Sequence, residues 1–242
     1  MSQFMVSTHY ECEAISSLFR GDLCTSLTSR PGIRIEAGQL VYCQGDMSGS
    51  VYFLRTGLIK TSVVMEDGRE QILRIYKPGE VFGELCFCTA ARREEALALE
   101  ESEIVKLQFT ELIEHLQRNT SALTSFLTTI AHHLSDAYEQ IRLLSSEKVM
   151  ARLIQTLLRL AAEMGAQDGT WVRLRVHLSQ DDLARMIGAR REVTSTLLNQ
   201  LRALGCISYA KRGQSHLLVN TAELEHYQHL ATSKVTDKLN VG

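Results

Sequence analysis

The sequence predicts an α+β chain in which an N-terminal antiparallel β-barrel or jelly roll is followed by one long helix and then by a C-terminal winged helix-turn-helix. Three observations carry that expectation. Short apolar segments punctuated by glycine run over residues 33–107, a seven-residue apolar repeat spans 123–144, and two short capped helices fall within 179–205.

The first region is written in strands and turns. Val51-Tyr-Phe-Leu, Leu58-Ile-Lys-Thr-Ser-Val-Val and Gln71-Ile-Leu-Arg-Ile-Tyr read as strands, Glu66-Asp-Gly68 as a hairpin turn and Pro78-Gly79 as another turn. No long helices alternate with these strands, which argues against a parallel-sheet enzyme. The region predicts an antiparallel barrel or jelly roll.

The second region is helical. Leu123, Leu127, Ile130, Leu134, Ala137, Ile141 and Leu144 follow one another at alternating intervals of four and three residues, which places all seven on one seam with a 3.5-residue period. Such a seam predicts a two-helix coiled coil between two copies of the chain, with the alternative that one helix lies on the barrel. Phe126 and Tyr138 flank the seam and widen it enough for both contacts. Ser145 and Ser146 interrupt the apolar pattern and predict a hinge that caps a further helix, which carries Met150, Leu153, Ile154, Leu157, Leu158 and Ala161 inward and stops at Gly165 in the left-handed conformation. Gln167-Asp-Gly169 then turns the chain into a strand over Trp171–Val176.

Ser179-Gln180-Asp-Asp182 has the form of a capping box, so a helix starts there, with Leu183, Met186 and Ile187 facing inward and Gly188 ending it. A second helix begins near Arg191 and runs through Leu197, Leu198 and Leu201 to Leu204, stopped by Gly205. Two short helices joined by a tight glycine-containing turn make a helix-turn-helix. Cys206–Ala210 and His216–Asn220, joined across Lys211 and Arg212, predict a β-wing.

Charge agrees with a polyanionic partner at this end. The whole chain of 242 residues has a formal net charge of −2, yet residues 173–216 hold eight Arg or Lys against three acids. In a helix-turn-helix the N-terminal turn of the second helix faces base edges, and here it carries Arg190, Arg191 and Glu192, with Ser195 and Thr196 one turn on. Arginine bonds guanine O6 and N7 together, and glutamate accepts from cytosine N4, so Arg191 and Glu192 suit neighbouring base pairs. The bland alternative is a solvated helix face holding a local Arg–Glu pair.

Other classes find little support. Walker loops, nucleophile elbows, His-Glu-x-x-His helices and zinc spacings are missing, so an enzyme is not expected. No run approaches the ~20 apolar residues of a membrane span, and Met1–Tyr10 lacks the layout of a secretion signal, so a cytoplasmic location is expected. The six cysteines (Cys12, Cys24, Cys43, Cys86, Cys88 and Cys206) lack both the density of a disulfide scaffold and the local spacing of an iron–sulfur site. Cys86 and Cys88 are expected to alternate along a strand as structural thiols, and His132 and His133 to face solvent or a helix partner rather than haem; no metal site is expected.

The run Leu178-Ser-Gln-Asp-Asp-Leu-Ala-Arg-Met-Ile-Gly-Ala-Arg-Arg-Glu-Val-Thr-Ser-Thr-Leu-Leu-Asn-Gln-Leu-Arg-Ala-Leu-Gly205 resembles the winged helix of bacterial Crp/Fnr regulators, and Val51–Gly57 and Pro78–Leu85 resemble the cyclic-nucleotide-binding-type barrel of the same family. The likeness runs in order from about Ile33 to Asn220. It implies an effector-sensing domain over 1–109 with N-terminal helices, a dimerisation helix and hinge over 110–146, and a DNA-binding domain over 147–242. The implied partners are a palindromic double-stranded operator, a second copy of the chain, and RNA polymerase. Where the family often has arginine this chain has Thr196, after Val193-Thr194 rather than Thr-Val, so its half-site is expected to differ from TGTGA or TTGAT types.

For the effector the resemblance points to Gly83, Glu84 and Leu85 as one wall of the pocket, Arg92 and Arg93 in place of a phosphate-binding Arg-Ser pair, and Tyr138 beside Ala137 in place of an adenine-reading Thr-Ser pair. Glu94 and Glu95 follow at once and would repel a phosphate, which argues against cyclic AMP. Another small effector, or none with the protein constitutively competent, is the expectation; a redox, haem or metal sensor and a non-DNA regulatory module are the alternatives.

Overall fold

The computed structural model describes residues 30–146, 148–209 and 216–229, which fall into two compact units divided between Ala137 and Tyr138. Among the described residues the first holds eight strands: β1 Ile33–Ile35, β2 Leu40–Tyr42, β3 Ser50–Thr56, β4 Ile59–Val64, β5 Glu70–Tyr76, β6 Val81–Phe82, β7 Glu95–Ala98 and β8 Ser102–Gln108. They form two antiparallel four-stranded sheets, ordered β1-β8-β3-β6 and β2-β7-β4-β5. Of the two arrangements the sequence predicted, this is the double-sheet jelly-roll type and not a closed barrel. The β4–β5 hairpin turns at Glu66-Asp-Gly68, with Met65 N–H bonded to the Arg69 carbonyl at 2.8 Å.

Period-two alternation divides the core. On β3, Val51 and Phe53 join Val81, Val105 and Leu107 under Leu112 and Leu116 of helix α1 (Phe109–Arg118), whereas Tyr52 and Leu54 face the other way with Ile59, Tyr76, Phe82, Ala96 and Ile104. Between the sheets the aromatic rings pack on one another, Tyr52 on Phe82 at 5.2 Å and Tyr42 on Tyr52 at 5.6 Å.

Helix α2 spans Thr120–Ser146 and carries the whole apolar seam. One flank faces its own jelly roll: Thr129 is buried and the Phe126 ring lies 5.5 Å from Phe87. The seam itself is largely bare. Leu127, Leu134 and Ile141 are 58%, 51% and 59% exposed, and Leu123, Ala137 and Leu144 are exposed too, while Ile130 is half-buried.

The break between the helices falls beside the expected serines but is capped differently: helix α2 ends at Ser146, and helix α3 (Val149–Met164) has Lys148, not a serine, at its N-cap. Ser145 and Ser146 are the last two residues of α2, where a helix still pairs backbone N–H groups internally but leaves its final carbonyls open. Gly165 does end α3, but in an extended conformation at φ −84°. Its glycine identity follows from crowding: a Cβ there would lie 2.1 Å from the Ala161 carbonyl oxygen and 2.2 Å from Val172 Cγ1.

The second unit packs α3 on an antiparallel sheet ordered β11-β12-β10-β9, made of β9 Gly165–Asp168, β10 Trp171–Leu174, β11 Ile207–Tyr209 and β12 Leu217–Val219. Leu153, Ile154, Leu157 and Leu160 of α3 are buried with Leu174, Ile207 and Val219 of the sheet. Helices α4 (Gln180–Met186) and α5 (Arg191–Ala203) close the unit, followed by a helix over 221–229.

Candidate nucleic-acid interface

Helix α4 starts where the sequence places it. Ser179 Oγ accepts from the Asp182 N–H at 3.1 Å and the Ser179 N–H donates back to Asp182 Oδ2 at 3.0 Å, a reciprocal capping box. At the other end Gly188 takes φ +60°, and the following Ala189 N–H returns to the Ala184 carbonyl at 3.0 Å. A residue with a Cβ is strained in that left-handed position, so the glycine sets the angle between the two helices. Helix α5 then opens at Arg191 and closes with Gly205 N–H on the Arg202 carbonyl and Cys206 N–H on that of Leu201.

Burial sorts the faces of α5. Thr194, Leu198 and Leu201 are buried, whereas Arg190, Arg191, Glu192, Val193 and Thr196 are exposed and Ser195 is half-buried. Exposed Ser179 and half-buried Gln180 open the preceding helix. The exposed N-terminal turn of a helix offers free N–H groups and the positive end of the helix dipole, which favour phosphate, while Arg190 and Arg191 add two cations. Lys211 and Arg212 lie outside the described residues, between the antiparallel wing strands β11 and β12.

Two residues that the sequence reading did not single out hold this motif in place. Gln140 Nε2 donates to the Met186 carbonyl at 2.9 Å, and Arg152 donates from Nε to the Ile187 carbonyl at 2.9 Å and from Nη2 to that of Gly188 at 3.3 Å. These are the carbonyls that a helix end leaves without intrahelical partners.

In the first unit, the residues expected to hold an effector are largely bonded to the protein itself. Arg92 is 4% exposed; its guanidinium donates to the carbonyls of Gly83 (2.8 Å) and Ser50 and lies over the Tyr42 ring at 4.2 Å. Glu84 Oε1 is 3.1 Å from Nδ1 of His133 on α2 and accepts from the Tyr76 hydroxyl at 3.5 Å. His133 is thus turned to the jelly roll, not to solvent or to a helix partner. Nearby, Arg74 of β5 bonds Asp136 of α2 at 2.8 Å. Leu85 and Arg93 are exposed, and Tyr138, in the second unit, is 64% exposed.

Glu94 is 3% exposed and accepts from the Tyr42 hydroxyl at 3.0 Å, while its Oε2 has no hydrogen-bond partner among the described residues. Burial, with the neighbouring Glu84 adding to it, pushes its carboxyl above the usual range. Cys86 and Cys88 do not alternate on a strand. Cys86 lies in a 3₁₀ turn over Glu84–Phe87, half-buried against the outer core, and Cys88 follows it exposed. The Gly83 turn tightens the chain here, which breaks the strand period that the sequence suggested.

The profile of the cyclic nucleotide-binding domain matches residues 33–119, and that of the Crp-like helix-turn-helix domain matches residues 151–227. The chain belongs to the Crp/Fnr family of transcription regulators. Among its Crp/Fnr relatives, an anaerobic regulatory protein of Bacillus subtilis (strain 168) is 28% identical over 202 residues, spanning 82% of this chain and 85% of that one. A CRP-like cAMP-activated global transcriptional regulator of Mycobacterium tuberculosis is 27% identical over 188 residues, 77% of this chain and 83% of that one. A solved CRP-family transcriptional regulator from Thermus thermophilus matches with a TM-score of 0.67 and 26% identity, covering 81% of this chain and 96% of that one. As a Crp/Fnr regulator the chain carries a helix-turn-helix DNA-binding domain, and no described helix is long and apolar enough to cross a membrane.

Proposed function

We propose that this regulator acts in the cytoplasm as a homodimer that joins through the α2 seam, binds a palindromic operator, and meets RNA polymerase at the promoter. One observation carries the reading: Arg190, Arg191 and Glu192 stand exposed at the N-terminal end of a helix whose preceding turn is held by Arg152 and whose far end is closed by the Gly205 and Cys206 N–H groups. In this reading Arg191 and Glu192 read bases, with Ser179, Gln180, Ser195 and Thr196 assisting them, and Lys211 and Arg212, outside the described residues, contact the DNA backbone.

The test is selection of an operator from random duplexes followed by binding of Arg191→Ala and Glu192→Ala. Each substitution is expected to weaken the selected site by ~1–3 kcal/mol while leaving nonspecific binding nearly unchanged. Equal loss on all DNA contradicts base reading.

For the jelly roll, we infer that its control does not run through a cyclic nucleotide, in contrast to what the name of the mycobacterial relative says of that protein. The support is that Arg92 is occupied by two carbonyls, Glu84 is bonded to His133 and Tyr76, and buried Glu94 adds a carboxylate where a phosphate would need cations. Among the described residues, the buried polar atoms of this group without a hydrogen-bond partner are Arg92 Nε and Glu94 Oε2, one donor and one carboxyl oxygen. Calorimetric titration with cyclic AMP and cyclic GMP is expected to give no saturable heat; micromolar binding of either contradicts the inference.

A further inference from the structure

The outward face of α5 carries one patch that hydrogen bonding to bases does not explain. Thr196 is exposed, but its hydroxyl donates to the Glu192 carbonyl of its own helix at 2.9 Å. The single hydroxyl proton is therefore in use, and the threonine methyl is left as its apolar outward group. Val193 lies three residues earlier, hence on the same flank, and is 41% exposed with no polar atom in its side chain. A β-branched valine at the tip of an exposed helix gains nothing from water and cannot bond a phosphate. In the major groove the one apolar feature that a base edge offers is the 5-methyl group of thymine, which small apolar groups such as a threonine methyl contact directly.

We propose that Thr196, extended by Val193, reads a thymine in each half-site through its methyl group, beside the base pair read by Glu192. This rests on the reading in which α5 enters the major groove, and it specifies what that helix recognises on its second turn.

The experiment starts from the operator selected with the full chain and replaces each thymine of the half-site in turn by deoxyuridine, which removes the 5-methyl and leaves every hydrogen-bonding group. One position per half-site is expected to lose about fourfold in affinity, the worth of one buried methyl-sized group. Thr196→Ser keeps the hydroxyl and removes the methyl, so it abolishes the difference between thymine and deoxyuridine. Thr196→Val keeps the methyl and removes the hydroxyl, so it preserves the difference, and Val193→Ala reduces it. The proposal is overturned if the selected half-site lacks thymine, if no replacement matters, or if Thr196→Ser and Val193→Ala both leave the deoxyuridine penalty unchanged. Failure to select any preferred sequence would instead overturn the underlying operator reading.

Discussion

Gln140 of helix α2 donates its side-chain amide to the carbonyl of Met186, the last residue of α4, at 2.9 Å. Together with the bonds from Arg152 to Ile187 and Gly188, it satisfies three successive carbonyls at the turn that sets the angle of the recognition helix. The C-terminal part of the helix that bears the apolar seam is therefore bonded directly to the DNA-reading motif.

Removing these caps is expected to loosen the turn. Arg152→Ala deletes charge-assisted bonds and should destabilise the second unit by ~1.5–3 kcal/mol, and Gln140→Ala, losing one neutral bond, by ~0.5–1.5 kcal/mol. Urea unfolding of the full chain followed by the fluorescence of Trp171 checks both, and operator affinity is expected to fall in the same order. Unchanged midpoints would show that water replaces the side chains without loss.

The seam gives a second expectation. Leu134→Glu and Ile141→Glu lie on exposed positions, so each monomer should keep its circular dichroism spectrum. In a dimer each side chain would be buried by its partner, and its loss removes ~1.5–3 kcal/mol of apolar burial per chain. Sedimentation equilibrium is expected to show weakened or lost self-association, with operator binding falling in parallel. Unaltered association would move the interface elsewhere.

Glu94 makes stability depend on pH in a defined direction. Burial first, then the neighbouring Glu84, raise its carboxyl above the unfolded value, against the opposing pull of the Tyr42 hydrogen bond and of Arg92. The folded state thus holds the proton more tightly than the unfolded state. The associated stability is complete below the ordinary carboxylate value of ~4.3 and is lost as pH rises through the raised folded value. Glu94→Gln removes that loss. The thermal midpoint of the variant minus that of the parent should therefore increase between about pH 4 and about pH 7. A flat or falling difference would contradict a raised carboxyl at this site.

What the sequence disclosed follows from the range of the interactions involved. The Ser179–Asp182 capping box, the turn at Gly188, the start of α5 at Arg191 and the seam on α2 are all local patterns, fixed within a few residues by hydrogen bonding or helical period, and they appear where they were expected. The role of Arg92 was not legible, because its carbonyl partners at Gly83 and Ser50 come from chain segments 9 and 42 residues away. The same holds for Gln140 and Arg152, whose partners are 46 and 35 residues distant. Ser145 and Ser146 marked the break between two helices but not its cap: they close α2, and the N-cap of α3 falls two residues on, at Lys148.

Two chains joined along α2, as proposed, would present two α5 tips to successive major grooves about 34 Å apart. Sedimentation of the full chain with its selected operator tests it most directly. Two chains are expected on a duplex carrying both half-sites, with cooperative loss of both when either half-site is scrambled. A stable complex of one chain per operator, unaffected by scrambling the second half-site, would contradict it.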